Sequence, residues 1–473
     1  MTILKACEFD GYWKTASPGD PAGNALAGSA ASKDAASKDA AVREIIEAVR
    51  REGDAALRRY AARFDRCSPP RLEVPAGTAL SAWKELRAKD RELAGALELA
   101  ARHIRRFAEE QKKQFTPFEL EMEPGLFTGQ RVIPVETAAV YVPAGRFPLF
   151  SSVLMGMIPA MIAGVDTVIL ASPPMEDGLP GRHILAAAAL SWECAGAAGP
   201  FPRIFAAGGA QAIAALALGT ESVPRADLIV GPGNKYVAAA KRMLFGEVGI
   251  DFVAGPTDVL VIADPGAADP GAAGFGTEFA GISPAELIAA DMLAQAEHDP
   301  DARARALTPD PSMAEEIVRA LERRLERLPP ESRSTAGASL DAGGLIIVYD
   351  SKEEAIRVAN IIAPEHLELQ VEDPESWITG SPCLRNYGSL FLGPLSAEAL
   401  GDYTAGINHT LPTSGSARFS GGLSVRHFLK TLTTLRCLPR GGFDEARGAA
   451  EILGRAEGLA AHAESAAIRG GPR

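Results

Sequence analysis

With 473 residues, 47 % of them hydrophobic, the chain can bury more than one core, and two or more domains are expected. A net charge of -12 and a pI near 5.3 argue against a nucleic-acid surface, since the Lys and Arg residues alternate with acids and form no basic tract. Five widely spaced cysteines (Cys7, Cys67, Cys194, Cys383, Cys437) without a CxxC pair exclude a cysteine zinc site and a disulfide framework, and fit a reducing compartment.

The N-terminal MTILKACEFDGYW lacks the apolar stretch of a signal peptide. The longest apolar run, 152–172, is interrupted by Pro159 and Asp166 and is no membrane span. A cytoplasmic protein is therefore expected. Residues 15–40 are rich in Ala, Gly, Ser and Pro and contain the repeat ASKDA-ASKDA, the composition of a weakly ordered insertion. Residues 41–114 carry helical periodicity with charged outer faces. After Thr137 apolar strand-like runs (AAVYVPAG, DTVILASPP, RIFAAGGAQ, ADLIVGPGN, DVLVIAD) alternate with helical ones, the pattern of a doubly wound parallel sheet. The turns PAG, GGAQ and GPGN end these strands, where such sheets bind ligands, although no GxGxxG fingerprint is present.

Residues 265–283 are again Gly/Ala-rich and are expected to be a loop insertion. Ser283-Pro284-Ala285-Glu286 then forms a capping box that opens a helix ending near His298. A second α/β segment follows: helix 313–328, strand 344–350, and helix 352–362 capped by Ser351 with Glu354 and ended by Pro364. HLELQ and SLFLG read as strands, and from about 426 the tail is expected to be helical.

Between the last strand and the tail lies a polar, glycine-rich stretch, residues 401–425, holding Asp402, Asn408, His409 and Arg418. So long and so well furnished a loop reads as the floor of an active site. Gln295 and His298 are three apart at the end of one helix and can share a ligand. Alone they are equally a histidine-closed helix end. With Asp402 and His462 as further candidates, they make a mixed nitrogen and oxygen set suited to zinc or a similar divalent ion. Glu365 and His366 follow Pro364 and offer two proton-transfer groups, or simply two polar residues at a strand end. Neighbours on a strand face opposite ways, so both reach one site only where the backbone turns. Glu457 and His462, on the final helix, are either solvated or docked onto a site on another subunit.

These stretches together resemble histidinol dehydrogenase, over residues 41 to 470. The resemblance rests on eight blocks in order: YVPAGRFPLFSSVLM, GGAQAIAALALGTESVP, DLIVGPGNKYVAAAK, GPTDVLVIAD, LAQAEHDP, APEHLEL, GDYTAGINHTLPTSGSAR with SGGLSV, and AEGLAAHA. It implies NAD-dependent, zinc-dependent oxidation of L-histidinol to L-histidine through histidinal, with one zinc per active site, the last step of histidine biosynthesis. By matching motif it places zinc on Gln295, His298, Asp402 and His462, and the acid/base pair on Glu365 and His366. Substrate contacts fall on Thr257, His409 and Glu457, besides His366 and the zinc ligands, and NAD contacts on Tyr141, Gln211 and Asn234.

A domain-swapped homodimer is also implied, with two Rossmann-like doubly wound α/β domains and small helical terminal segments. The expected division is a segment 1–47, a catalytic and metal domain of 48–140 with 259–425, an NAD domain of 141–258, and a swapped tail 426–473. Two departures stand out: Thr257 where the family carries serine, and Pro143-Ala144-Gly145 where it carries Pro-Gly-Gly. A zinc- and NAD-dependent dehydrogenase of another small alcohol, such as a dihydroxypropanesulfonate, and a zinc hydrolase with Glu365 as base are the alternatives.

Overall fold

The computed structural model describes residues 1–16, 29–67, 69–144, 149–197, 199–264 and 282–470. Two six-stranded sheets organise it, each wound in both directions from a central strand. In the first, Thr137–Tyr141 is central. Thr167–Ser172 and Arg203–Ala206 extend to one side, and Leu228–Val230 and Gly249–Ile250 to the other, all parallel. The short Glu73–Val74 closes the first side antiparallel. In the second sheet Asp258–Ala263 is central. Arg303–Thr308, Leu345–Val348 and the N-terminal Thr2–Lys5 lie on one side, His366–Gln370 and Ser389–Leu392 on the other, every pair parallel.

Strands such as Thr167–Ser172 and Asp258–Ala263 are almost wholly buried because helices cover both faces, which is why they read as unbroken apolar runs. Each sheet has two apolar layers, one per face. The order reverses beside each central strand, so each sheet has a switch point. The expected caps form: Ser283 accepts from the Glu286 N–H (3.4 Å) and Ser351 from the Glu354 N–H (3.2 Å).

The strands divide the chain differently from the expected domains. Residues 48–140 do not join 259–425: Thr137–Tyr141 is the heart of the first sheet. Helices Ala76–Lys89 and Arg91–Lys113 pack on Arg182–Cys194 and Phe150–Ala163, the helices that cover this sheet, and their Trp83, Leu97 and Ile104 join one apolar cluster with Ala138 and Val140 of that strand. The ASKDA repeat, expected to be weakly ordered, lies in the helix Ser29–Glu52. Its later residues Val42, Ile45, Ile46 and Val49 anchor it on the first sheet at helical spacing. Residues 17–28 and 265–281 of the two expected insertions lie outside the described residues.

The tail is not helical from 426. Leu429–Cys437 is a strand paired along its length with Leu126–Pro134, which forms a hairpin with Phe118–Glu123. Alternating threonine and leucine favours a pleated, half-exposed surface over a helix. Two helices, Gly441–Ala456 and Ala460–Ala467, follow. Among the described residues no helix is long and apolar enough to cross a membrane.

Candidate active site

The second sheet sets the site at the amino ends of its two strands beside the switch point. Helix Lys352–Ile362 stops at Ala363, which takes a left-handed φ of 49°, and Pro364 turns the chain into His366–Gln370. This is the backbone turn that lets neighbouring Glu365 and His366 line one cavity. Asp258, at the start of the adjacent strand, locks the corner: its Oδ1 accepts from the Glu365 N–H (3.0 Å), and its own N–H donates to Glu365 Oε2 (3.2 Å). The Thr257 hydroxyl also donates to Glu365 Oε2.

Burial pushes the Glu365 carboxyl up to about 7, although His366 and Thr257 pull it down. Burial would lower His366. The carboxylates of Glu398, Asp402 and Glu365 outweigh it and hold the imidazole well above its usual value. His366 Nε2 lies 3.5 Å from Asp402 Oδ1 and Nδ1 lies 3.8 Å from Glu398 Oε1, and neither nitrogen has a hydrogen-bond partner among the described residues. An imidazole with two orphaned, buried nitrogens has binding capacity left for something else.

The candidate ligands arrive from two helices. Gln295 is in the last turn of Pro284–Ala296 and is 1 % exposed; His298 is exposed just beyond that helix. Asp402 belongs to the short helix Glu398–Tyr403, with Glu398 one turn before it on the same face. Burial raises Asp402, but the close approach of the His366 imidazole holds it below the usual carboxylate range. One ligand atom each from His298, Glu398 and Asp402 lie within 4.8 Å of one another. The Gln295 amide spans Thr257 Oγ1 and Glu398 Oε1, 2.5 Å from each. Thr257 gives its single proton to Glu365, so it accepts from the Gln295 nitrogen. That orientation sets the amide oxygen against a Glu398 oxygen, a clash that the other amide orientation removes. Turned over, the amide would donate to Glu398 and accept from the Asp258 N–H at 2.9 Å.

His409 closes the pocket from the 401–425 stretch. Its Nδ1 faces the Asp402 carbonyl (2.9 Å), so Nδ1 carries the proton and Nε2 accepts from the Ser152 hydroxyl (2.9 Å). Burial keeps this ring neutral. Both nitrogens are therefore taken. The cavity, about 190 Å³, is walled on one side by Thr257, Gln295, Glu365 and His366, and on the other by Ser152, Pro232 and Gly233 of the first sheet's half. His298, Asp402 and His409 also line it. The amino edge of one sheet thus meets the carboxyl edge of the other.

Tyr141, Gln211 and Asn234 stand at that carboxyl edge but do not line this cavity. Tyr141 ends the central strand. Its hydroxyl accepts from the Gly209 N–H (3.0 Å), and burial pushes its phenol up to about 12. Gln211 is buried in the first turn of helix Gly209–Leu218. Asn234 caps helix Lys235–Leu244, accepting from the Tyr236 and Val237 N–H groups (3.0 and 3.2 Å). Between them Gly231 takes φ +111°, where a Cβ would strike the Tyr141 carbonyl. The buried Lys241 and Asp251 pair grips both polar groups of Gly231 (3.0 Å to its carbonyl, 2.8 Å to its N–H).

Glu457 and His462 are exposed on the tail and do not line the cavity. Glu398 was not anticipated from the sequence, and neither was Ser152. The available signal for Glu398 was its place four residues before Asp402.

Comparison with known proteins follows the same lines. The family model described as histidinol dehydrogenase matches residues 29–470. A histidinol dehydrogenase of Methylococcus capsulatus is 44 % identical over 431 residues, covering 90 % of this chain and 91 % of that one. The Thermus thermophilus enzyme of the same name is 46 % identical, with 90 % and 93 % covered. A crystal structure of histidinol dehydrogenase from Elizabethkingia anophelis matches with a TM-score of 0.79 at 36 % identity, covering 90 % of this chain and 91 % of that one. This chain therefore belongs to the histidinol dehydrogenase family and is an oxidoreductase of histidine biosynthesis.

Proposed function

We propose that the protein oxidises L-histidinol to L-histidine through L-histidinal, a four-electron reaction using NAD and one zinc ion per active site, in the cytoplasm and as a homodimer that exchanges tails. The observation that carries this reading is the single cavity that joins Glu365, His366 and the Gln295, His298 and Asp402 donors to the carboxyl edge of a doubly wound sheet.

The donor chemistry suits a divalent metal. One ligand atom each from His298, Glu398 and Asp402 lie within 4.8 Å of one another, a spacing that one cation can span. The first sheet's carboxyl edge, with Tyr141, Gln211 and Asn234 around the open turn at Gly231, suits a dinucleotide. When bound, zinc supplies an anchor for the imidazole and amino nitrogens of the substrate, and NAD the hydride acceptor.

This chain's own residues move the protons. His366, whose neighbours stabilise its protonated form, accepts the proton of the alcohol. His366 releases that proton to solvent, Glu365 takes a proton from the water that adds to the aldehyde, and the neutral His366 then accepts the proton of the hydrate in the second oxidation. Thr257 holds the Glu365 carboxylate toward the cavity, while His409 and Glu457 complete the substrate's surroundings. The half built on the first sheet is the dinucleotide domain, and the half built on the second holds the metal and the acid/base pair.

Glu457 and His462 fit this scheme if they enter the cavity of a second copy, with His462 as the remaining metal ligand. Exposed apolar side chains beside them (Ile452, Leu453, Leu459, Ile468) and on the three-stranded sheet (Phe118, Leu435) support a covered tail. The test is product analysis of purified protein with L-histidinol and NAD. Histidine with NADH is expected. NADH only from another alcohol, such as a dihydroxypropanesulfonate, would sink the substrate assignment, and no NADH from any alcohol would favour a hydrolase.

A further inference from the structure

Glu398 is 2 % exposed and meets three separate parts of the site. Its Oε1 is 2.5 Å from the Gln295 amide and 3.8 Å from His366 Nδ1. Its backbone N–H donates to Glu368 Oε1 (2.9 Å), and Glu368 in turn accepts from Gln370 through Oε2 (3.0 Å). Glu398 also begins the short helix that presents Asp402. Gln295, His298, His366 and Asp402 line the cavity, whereas Glu398 does not; it stands behind the wall they form. A buried acid placed there contributes by fixing its neighbours.

We infer that Glu398 is a positioning residue of this centre: anchored by Glu368, it sets the Gln295 amide and the His366 ring at once, and so couples the metal-binding side of the cavity to its proton-transferring side. The inference rests on the metal and acid/base reading above. Without the Glu398 carboxyl the Gln295 amide nitrogen loses the partner that fixes it, its oxygen alone being held by Thr257 and the Asp258 N–H, and the amide can turn away from the ligand cluster. His366 loses the group that faces its Nδ1 edge.

The experiment compares Glu398→Gln, Glu398→Asp and Glu398→Ala with the parent enzyme. It measures zinc affinity by competition with a chromophoric chelator, and kcat and KM for L-histidinol. Glu398→Ala and Glu398→Asp are expected to weaken zinc by about 10–100-fold, while Glu398→Gln, which still bridges to Gln295, stays within about threefold of the parent. Glu398→Gln is expected to lower kcat with KM for histidinol little changed, because His366 then faces an uncharged amide. If Glu398→Ala does not fold, the Gln and Asp variants carry the comparison. Loss of zinc by a folded Glu398→Gln equal to that in Glu398→Asp would make Glu398 a direct ligand and overturn the inference. Parental zinc affinity and kcat in every folded variant would overturn it as well. A parent enzyme that takes up no zinc or fails on histidinol refutes the underlying reading, and the inference with it, before any variant is compared.

Discussion

In the proposed reaction the two neighbours Glu365 and His366 divide the proton chemistry between them, and their surroundings set the division. His366→Asn removes a cavity imidazole whose two buried nitrogens have no hydrogen-bond partner among the described residues, so both oxidations are expected to slow by about 10²–10⁴-fold in steady-state assays. Glu365→Gln is expected to slow histidinal oxidation by a similar factor while sparing histidinol oxidation more, measured by supplying each substrate separately. The pH dependence has a definite sign. Burial raises Glu365 to about 7, so below that pH the carboxyl is protonated and is no base. Histidinal oxidation should therefore fall as pH drops through about 7, and Glu365→Gln should abolish that limb. At this scale the sequence was informative wherever chemistry marks a residue: an acid beside a histidine after proline, a glutamine and a histidine one turn apart. Glu398 was not legible, because SAEAL carries no such mark. Its importance comes from meeting Gln295 and His366, which lie far away along the chain. The place of His409 beside this cavity was legible, but its tautomer and its Ser152 partner appear only in the fold.

Buried ion pairs hold the turns that shape both edges of the cavity. Lys241 and Asp251 are 2 % and 0 % exposed at their side chains and together grip Gly231. Lys241→Met leaves the Asp251 carboxylate buried without its cation, and is expected to destabilise the protein by about 3–5 kcal/mol in urea unfolding. A parental urea midpoint would show that the pair is not needed for stability. The elements themselves were legible where burial is two-sided. Runs such as TVILAS and DVLVIA announce parallel strands, and Ser283 and Ser351 announce helix starts. Leu429–Cys437 was misread because its strand partner, Leu126–Pro134, is about three hundred residues earlier and genuine helices follow it. Local propensity is weak evidence for a strand whose pairing is so distant.

At the scale of the whole molecule, the two halves were legible but their membership was not. The helices of 48–113 have charged outer faces that would suit either sheet, and only the pairing of Thr137–Tyr141 between Thr167–Ser172 and Leu228–Val230 decides it. The tail poses the same question between chains. If Glu457 and His462 act in a second copy's cavity, then Glu365→Gln and His462→Asn subunits, each inactive alone, should regain activity when unfolded and refolded together. Random pairing puts both lesions in one site of each heterodimer and leaves its other site intact, for about a quarter of the parental activity. If the tail served its own chain's cavity, every site in the mixture would carry a lesion and no activity would return. The most direct test of the whole account is the stoichiometry of purified enzyme with limiting L-histidinol and excess NAD, before and after chelation. About two NADH per histidinol are expected, lost when zinc is removed and restored when it is returned. One NADH per histidinol with histidinal accumulating, or turnover indifferent to the chelator, would contradict it.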